Sequence, residues 1–175
     1  MNDPAADAYQ KGMACLERKE LDAAIAAFTE AIRLDPREAK VYCGRAVAYY
    51  GKGEHESAMA DYTEAVRLNP SNAVARHGRG LGHGQMGEPD KAIADYTEVI
   101  RLDPKLALAY CARGIAHGRK GEYDKAIGDC DEALRLDPQS ALAYRCRGVA
   151  YQNKGDNTKA EEDFAQAKKL GYKGP

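Results

Sequence analysis

The feature of this sequence that most constrains its fold is a signal that recurs every 34 residues. An aspartate or asparagine followed by proline stands at positions 35–36, 69–70, 103–104 and 137–138. A period of this size indicates a repeat array, in which each unit buries its apolar face against its neighbours and the core is a continuous strip. The spacing predicts one array over residues 1–175, with repeats at about 5–38, 39–72, 73–106, 107–140 and 141–174.

Each repeat holds two helical patterns, which the fourth copy shows most clearly. The first runs from about Leu106 to Lys120, and Gly121 follows at the position where a left-handed C-terminal cap is needed. The second begins near Tyr123 and runs to Leu136, where the Asp-Pro pair ends it because proline cannot continue the helix. The predicted fold class is therefore all-α.

Three columns of residues indicate how the two helices of a repeat pack. Small residues recur at one position of the second helices and at one position of the first helices, and a bulky residue recurs at a third position. Small residues let two helices approach closely around one large side chain, so this pattern is typical of interlocking helical hairpins. The three columns are Ala24, Ala58, Ala92, Ala126 and Ala160; Gly12, Ala46, Gly80, Gly114 and Gly148; and Phe28, Tyr62, Tyr96, Cys130 and Phe164, with Cys130 the thinnest of the bulky set.

The repeating unit resembles the tetratricopeptide repeat (TPR) over nearly the whole chain. The resemblance implies a right-handed superhelical α-solenoid of antiparallel helix pairs, in which the first helices line a concave groove. The sequence departs from the family pattern where Ala8 and Arg76 replace an early aromatic residue and where Tyr172 replaces a fifth proline. Besides the columns and the recurring proline, the resemblance rests on an aromatic residue near the start of three first helices, namely Tyr42, Tyr110 and Tyr144.

The fifth copy differs from the others on the face where a sixth repeat would dock. Its second helix carries Glu161 and Lys168 in two columns that are apolar in the four preceding copies. Repeat arrays need a polar terminal face for solubility. We therefore expect a polar, self-capping last helix with both side chains exposed, and an array that ends at Pro175.

Two charged columns appear together in copies two to five and are both missing from the first copy. An arginine column alone could bind phosphate groups. Because arginine and aspartate are present or absent together, we interpret them as an ion pair that bridges the two helices of one repeat. The columns are Arg45, Arg79, Arg113 and Arg147, and Asp61, Asp95, Asp129 and Asp163.

The glycine-rich stretch at residues 77–84 resembles a phosphate-binding loop, but the repeat period places it inside a first helix. A phosphate-binding loop requires a preceding strand and a helix N-terminus. The glycines outside the small-residue column, Gly78, Gly82 and Gly84, instead cost this helix about 2.5–3 kcal/mol relative to alanine. We expect the third repeat to be the least stable one, with rapidly exchanging amides.

Composition argues against several classes of function. The net charge is −1, which offers no general attraction to nucleic acid. No apolar run approaches the roughly 18–20 residues of a membrane span. The sequence shows no signal peptide, and its five cysteines are typical of reduced thiols, so we expect a cytoplasmic protein. No catalytic motif is present, so we expect no enzymatic activity and no cofactor.

The cysteines and histidines do not predict a metal site. Cys43, His77 and Cys111 share one column in successive repeats. Adjacent helices pack at about 8–10 Å, whereas zinc donors lie about 2.0–2.3 Å from the ion. We expect the cysteines to behave as small buried apolar residues. His83 and His117 stand where other copies carry tyrosine, and we expect them to be packing residues.

The candidate functional surface is the concave groove that the resemblance implies. Its central column is apolar, and Gly44 and Gly78 beside it are expected to widen the groove. The lysines and asparagines with which TPR co-chaperones hold a C-terminal carboxylate are absent, so we do not expect binding of chaperone tails. The predicted partner-binding residues are Tyr9, Met13, Lys40, Cys43, Val47, Tyr50, His77, Leu81, Leu108, Cys111, Ile115, Arg119, Arg145 and Val149.

These features predict a non-catalytic scaffold for protein–protein interaction. Its groove would bind an apolar or amphipathic peptide or helix through burial of side chains. One alternative is a self-assembling structural module that contacts another copy of the chain through the groove or through the ends of the array. A second alternative is a small-molecule or metal site formed by the cysteines and histidines of the groove.

Overall fold

The computed structural model describes residues 3–174, and its fold is all-α, as predicted from the sequence. These residues form ten helices and no strand. The helices are Pro4–Glu17 (α1), Leu21–Leu34 (α2), Ala39–Lys52 (α3), His55–Leu68 (α4), Ala73–Gln85 (α5), Pro89–Leu102 (α6), Ala107–Arg119 (α7), Tyr123–Leu136 (α8), Ala141–Lys154 (α9) and Asn157–Lys169 (α10). Each predicted repeat contains two of them.

The chain divides into two compact units, Met1–Gly82 and His83–Pro175. In the first unit, α1 packs against α2 and α3, and α3 packs against α2 and α4. In the second unit, α7 packs against α6, α8 and α9, and α9 also packs against α8 and α10. Within each unit, the first helices of successive repeats are therefore neighbours.

The turn between the two helices of a repeat requires one residue in the left-handed region. Gly53, Gly87, Gly121 and Gly155 take this position with φ between 74° and 95°, which confirms the cap predicted at Gly121. In the first copy the same position holds Lys19, with φ 60°. A side chain is disfavoured there because its Cβ approaches the following carbonyl oxygen. The first copy therefore carries a local strain that the other copies avoid.

The turn between repeats is formed by the residue that precedes each proline. The Asp35 carboxylate accepts a hydrogen bond from the backbone N–H of Arg37 at 3.0 Å, and the equivalent side chains of copies two to four make the same bond at 3.0 Å. The Tyr42 hydroxyl donates to the Pro36 carbonyl at 3.1 Å. Arg76, which departs from the family pattern, donates to the equivalent carbonyl at 2.7 Å and so replaces the aromatic residue in function.

In the first unit, the two rings of the bulky column, Phe28 and Tyr62, each pack between two small residues, one from the same repeat and one from the next. A Cβ added at Gly12 would lie 2.6 Å from the Phe28 ring, and one added at Gly44 would lie 2.7 Å from it. A Cβ added at Gly78 would lie 2.3 Å from the Tyr62 ring. The expectation that Gly44 and Gly78 widen the groove is therefore wrong, because the ring of the preceding repeat occupies the space that they leave.

The predicted ion pairs are confirmed in copies two, four and five. Arg113 donates two hydrogen bonds to Asp129, at 2.9 and 2.7 Å, and the pair is mostly buried. The same guanidinium also donates to the Thr97 hydroxyl at 3.2 Å, in the second helix of the preceding repeat. Arg147 likewise bonds Asp163 in its own repeat and Asp131 in the preceding one. These arginines therefore join successive repeats as well as the two helices of one repeat.

The last helix and the glycine-rich helix also follow the sequence prediction. Glu161 and Lys168 are exposed on α10, as expected for a polar terminal face. Residues 77–84 lie within α5, which excludes a phosphate-binding loop at this position. Whether α5 is the least stable first helix stays a prediction.

Candidate interaction surface

A mainly apolar cavity of about 430 Å³ lies on the predicted partner-binding face of the second unit. This volume lies within the range of about 300–1,000 Å³ that is usual for ligand pockets. Residues of α7, α8 and α9 and the segment after α10 line it. They are Gly114, Ile115, Gly118, Arg119, Ala126, Leu142, Arg145, Cys146, Val149, Ala150, Asn153 and Tyr172. The structure thus brings together four predicted partner-binding residues, Ile115, Arg119, Arg145 and Val149.

Cys130 lies behind the wall of this cavity, in the column that holds an aromatic ring in the other copies. It takes the place of Phe28 or Tyr62 and is fully buried. A Cβ added at Gly114, which lines the cavity, would lie 3.3 Å from the Cys130 sulfur. A cysteine side chain is smaller than a phenyl ring, so the fourth copy fills less space behind the cavity wall than the other copies do.

Apolar side chains from two helices form the walls of this cavity. Leu142 and Val149 are seven residues apart on α9, which places them on one helix face. Ile115 on α7 is 38% exposed, and Leu108, two turns before it on the same face, is 48% exposed. Scattered exposed apolar residues are normal on protein surfaces, but these two extend the apolar wall along α7 beyond the cavity itself.

Two arginines are the only charged residues among those that line the cavity. Arg119, the last residue of α7, is exposed and donates a hydrogen bond to the Gly84 carbonyl. The Arg145 guanidinium lies over the Phe164 ring at 5.0 Å and over the Tyr172 ring at 5.9 Å. Stacking between two rings holds this planar group in place. The cavity is therefore apolar with a positively charged edge.

The predicted partner-binding residues of the first unit lie on α1, α3 and α5. Val47 on α3 and Leu81 on α5 are 41% and 37% exposed, and Met13 on α1 is half-buried. The Lys40 ammonium lies over the Tyr9 ring at 5.1 Å, beside a recess of only about 50 Å³. The first unit thus offers exposed apolar residues on its first helices, and its recess of about 440 Å³ is lined by the polar turn at residues 53–57 and not by predicted partner-binding residues. Tyr50 is half-buried and packs against His55 with a ring-centroid distance of 5.2 Å.

Three of the predicted partner-binding residues, Cys43, Cys111 and His77, are more buried than residues on the surface of an open groove would be. Cys43 and Cys111 are buried and fill space between helices, so a partner cannot touch them. Burial raises the pKa of each of these thiols to about 11 and that of Cys146 to about 12. His77 is half-buried, and burial lowers its pKa. All five cysteines are free in this structure.

No cluster of histidine, cysteine and acidic side chains in residues 3–174 is arranged to hold a metal ion.

His83 and His117 are largely buried, as expected for packing residues, but each also makes a polar contact that the sequence did not indicate. Their Nδ1 atoms lie 2.7 Å from Glu88 and 2.6 Å from Glu122, respectively. Hydrogen bonds from His117, Lys120 and Lys125 lower the pKa of Glu122 to about 2. These histidines join the first helix of a repeat to the start of the second.

Sequence reasoning did not assign Tyr172 to the site. It interpreted this residue only as a missing proline, whereas the ring forms one side of the cavity and contacts Arg145. A related signal in the sequence is Cys130, a small residue in an aromatic column, which lies behind the cavity wall. In the described part of the chain, no helix has both the length and the apolar character that a membrane span requires.

Comparisons with known proteins agree on one family. Models of the tetratricopeptide repeat match residues 9–73, 107–140 and 130–162, and a TPR-repeat model matches residues 84–121. A crystal structure of MamA is 25% identical, with 97% of this chain and 93% of that chain covered and a TM-score of 0.86. No significant match was found among curated proteins.

Two further solved structures share the fold. MamA from Desulfovibrio magneticus RS-1 is 22% identical, with 97% of this chain and 96% of that chain covered and a TM-score of 0.89. YrrB, described as a TPR protein with an unusual peptide-binding site, is also 22% identical, with 94% and 84% covered and a TM-score of 0.82. At this identity the likeness shows the fold alone.

Proposed function

The chain belongs to the tetratricopeptide-repeat family, and from this premise we propose that it is a non-catalytic scaffold that binds a segment of another protein. The bound segment is an amphipathic helix whose apolar side chains enter the cavity of the second unit. YrrB supports this proposal to the extent that a protein of the same fold is described as binding peptide.

The observation that carries the proposal is the apolar surface of α7 next to a cavity. Leu108 and Ile115 stand exposed on one face of this helix, and the cavity begins at Ile115. Covering apolar surface stabilises a complex by about 25 cal/mol per Å² removed from water. An amphipathic helix laid along α7 would cover both side chains, which is a common mode of peptide recognition.

The exposed residues of the first unit extend the proposal to a second contact area. Val47 and Leu81 lie on first helices, as Leu108 and Ile115 do. A longer partner could place one apolar stretch on each unit. Two linked contacts bind more tightly than either alone, because the second contact becomes intramolecular.

The test is a binding titration with a defined peptide. A fluorescent amphipathic helix with leucines on one face and glutamines on the other is titrated with the full chain, and its anisotropy is measured. Ile115→Asp combined with Leu81→Asp should abolish binding while circular dichroism shows an intact fold. Gly118→Leu should also abolish it, because the new side chain fills the cavity without adding charge.

Leu34→Asp is the matched control, because Leu34 is 40% exposed but lies on a second helix. It should leave the affinity unchanged. Equal binding by wild type and all variants would refute the proposal. A change in sedimentation coefficient with protein concentration that disappears in the Ile115 variant, without any peptide binding, would favour self-assembly instead.

A further inference from the structure

Resting on the proposed function, we propose that the cavity of the second unit selects acidic amphipathic helices, in which apolar side chains are followed by a carboxylate. The apolar residues enter the cavity and cover α7, and the carboxylate binds at the arginine edge. The partner is therefore a helix with a fixed order of apolar and acidic residues along one face.

The charged residues of the cavity are complementary to an acidic partner. Acidic and basic residues are nearly equal in number in the whole chain, 27 against 26. The twelve residues that line the cavity nevertheless include Arg119 and Arg145 and no acid. Arginine side chains beside an apolar surface attract carboxylates and disfavour basic segments.

The bonding of Arg119 sets it apart from most arginines of the described residues. Eight others form ion pairs with carboxylates of this chain. Arg119 instead donates to the backbone carbonyl of Gly84, and no carboxylate lies within ion-pair distance of it in residues 3–174. A guanidinium has five N–H donors, so the bond to Gly84 orients Arg119 and leaves donors for a partner's carboxylate.

Arg145 also lines the cavity, from a different helix. Its guanidinium is stacked on Phe164 and Tyr172, and both Arg145 and Tyr172 line the cavity. The two arginines of the cavity therefore come from α7 and α9.

The spacing along α7 defines the order of groups in the partner. Leu108 and Ile115 are separated by two helical turns, about 10 Å, and Arg119 lies one turn, about 6 Å, beyond Ile115. A helix aligned with α7 would place two apolar side chains about two turns apart on these residues. Its carboxylate would then fall one turn beyond the second apolar side chain.

The experiment compares three synthetic helices that differ at one position. Each carries leucines at positions i and i+7, and position i+11 holds glutamate, glutamine or lysine. Anisotropy titration of the full chain should show the glutamate peptide binding about three- to tenfold more tightly than the glutamine peptide, and the lysine peptide more weakly than both. The glutamate advantage should shrink as salt is raised.

Variants of Arg119 test whether the advantage arises at this edge. Arg119→Gln should remove most of the glutamate advantage without weakening the glutamine peptide, and Arg119→Lys should retain part of it. Lys105→Glu is the control, because Lys105 is exposed and does not line the cavity; it should preserve the ratio. Shifts of the Ile115 methyl resonance on peptide addition should place the complex in the second unit.

The outcomes separate this inference from the proposed function. If glutamine and glutamate peptides bind equally well, the acidic selectivity is refuted and the scaffold proposal stands. If neither binds, the proposed function fails. Saturable binding of decanoate with no glutamate advantage among the peptides would also overturn the inference, because the site would then take a small anionic amphiphile.

Discussion

Adding one methyl group at Gly78 should destabilise this protein, although helix propensity alone predicts the opposite. Gly78 lies inside α5, and replacing a helical glycine by alanine normally stabilises a protein by about 0.8–1.0 kcal/mol. Here the new Cβ would lie 2.3 Å from the Tyr62 ring, which is buried. Overpacking of this kind costs about 1–3 kcal/mol.

Gly128→Ala isolates the steric contribution. Gly128 is exposed on α8, and a Cβ added there meets no atom within 4 Å. Both substitutions gain the same helix propensity, so the difference between them measures only the overpacking at Tyr62. The free energy of unfolding, from urea denaturation followed by circular dichroism, should differ between the two variants by about 1–3 kcal/mol.

Gly44→Ala provides an intermediate case. The Phe28 ring packs against both Gly12 and Gly44, and a Cβ added at Gly44 would lie 2.7 Å from it, a smaller overlap than the 2.3 Å between a Cβ at Gly78 and the Tyr62 ring. Tyr62 already has Ala46 beside it in the same core cluster and has less room to move. We expect Gly44→Ala to lie between the other two variants. If Gly78→Ala and Gly128→Ala stabilise the protein equally, the packing argument is refuted.

Three further predictions use single substitutions. Lys19→Gly should raise the free energy of unfolding by about 0.5–1 kcal/mol, because glycine takes the left-handed conformation without strain. An unchanged free energy of unfolding in urea denaturation would contradict this prediction. Arg113→Ala should cost about 2–4 kcal/mol in the free energy of unfolding, because the buried Asp129 loses its partner. Arg135→Ala, which breaks an exposed pair, should cost far less. Similar losses in the two variants would count against the structural role. The pKa of Glu122 is lowered from 4.5 to about 2, so the stabilisation that its carboxylate provides is present above pH 4.5 and is lost as the pH falls toward 2. In thermal melting, the melting temperature of Glu122→Gln should therefore fall less on acidification than that of wild type. Equal falls in the two proteins would exclude this residue as a cause.

The repeat columns made most of the fold predictable from the sequence. Small residues at a period of 34 residues predicted the buried faces, because only glycine and alanine let helices approach this closely. The joint presence of arginine and aspartate predicted the ion pair between Arg113 and Asp129, which the structure confirms. These features could be predicted because each one appears several times, and repetition distinguishes a packing requirement from chance.

Contacts between one repeat and the next were harder to predict. Gly78 was expected to widen the groove, but it accommodates a ring that lies 16 positions earlier in the sequence. Cys111 shares a column with residues of the groove face, yet it is buried. Such outcomes depend on how far one helix pair rotates relative to the next. A single sequence carries no direct record of that rotation, so the cavity beside Cys130 could not be located from the pattern alone.

Arg113 and Arg147 each donate hydrogen bonds to their own repeat and to the preceding one, and this pattern limits how the chain can change in length. Arg147 finds acceptors 16 positions after it, at Asp163, and 16 positions before it, at Asp131. If residues 107–140 were deleted, Thr97 would take the earlier position, and it already accepts from Arg113 in the same geometry. Loss or duplication of a whole repeat therefore preserves the hydrogen-bond network, whereas an insertion of any other length breaks it. The network tolerates recombination in units of one repeat.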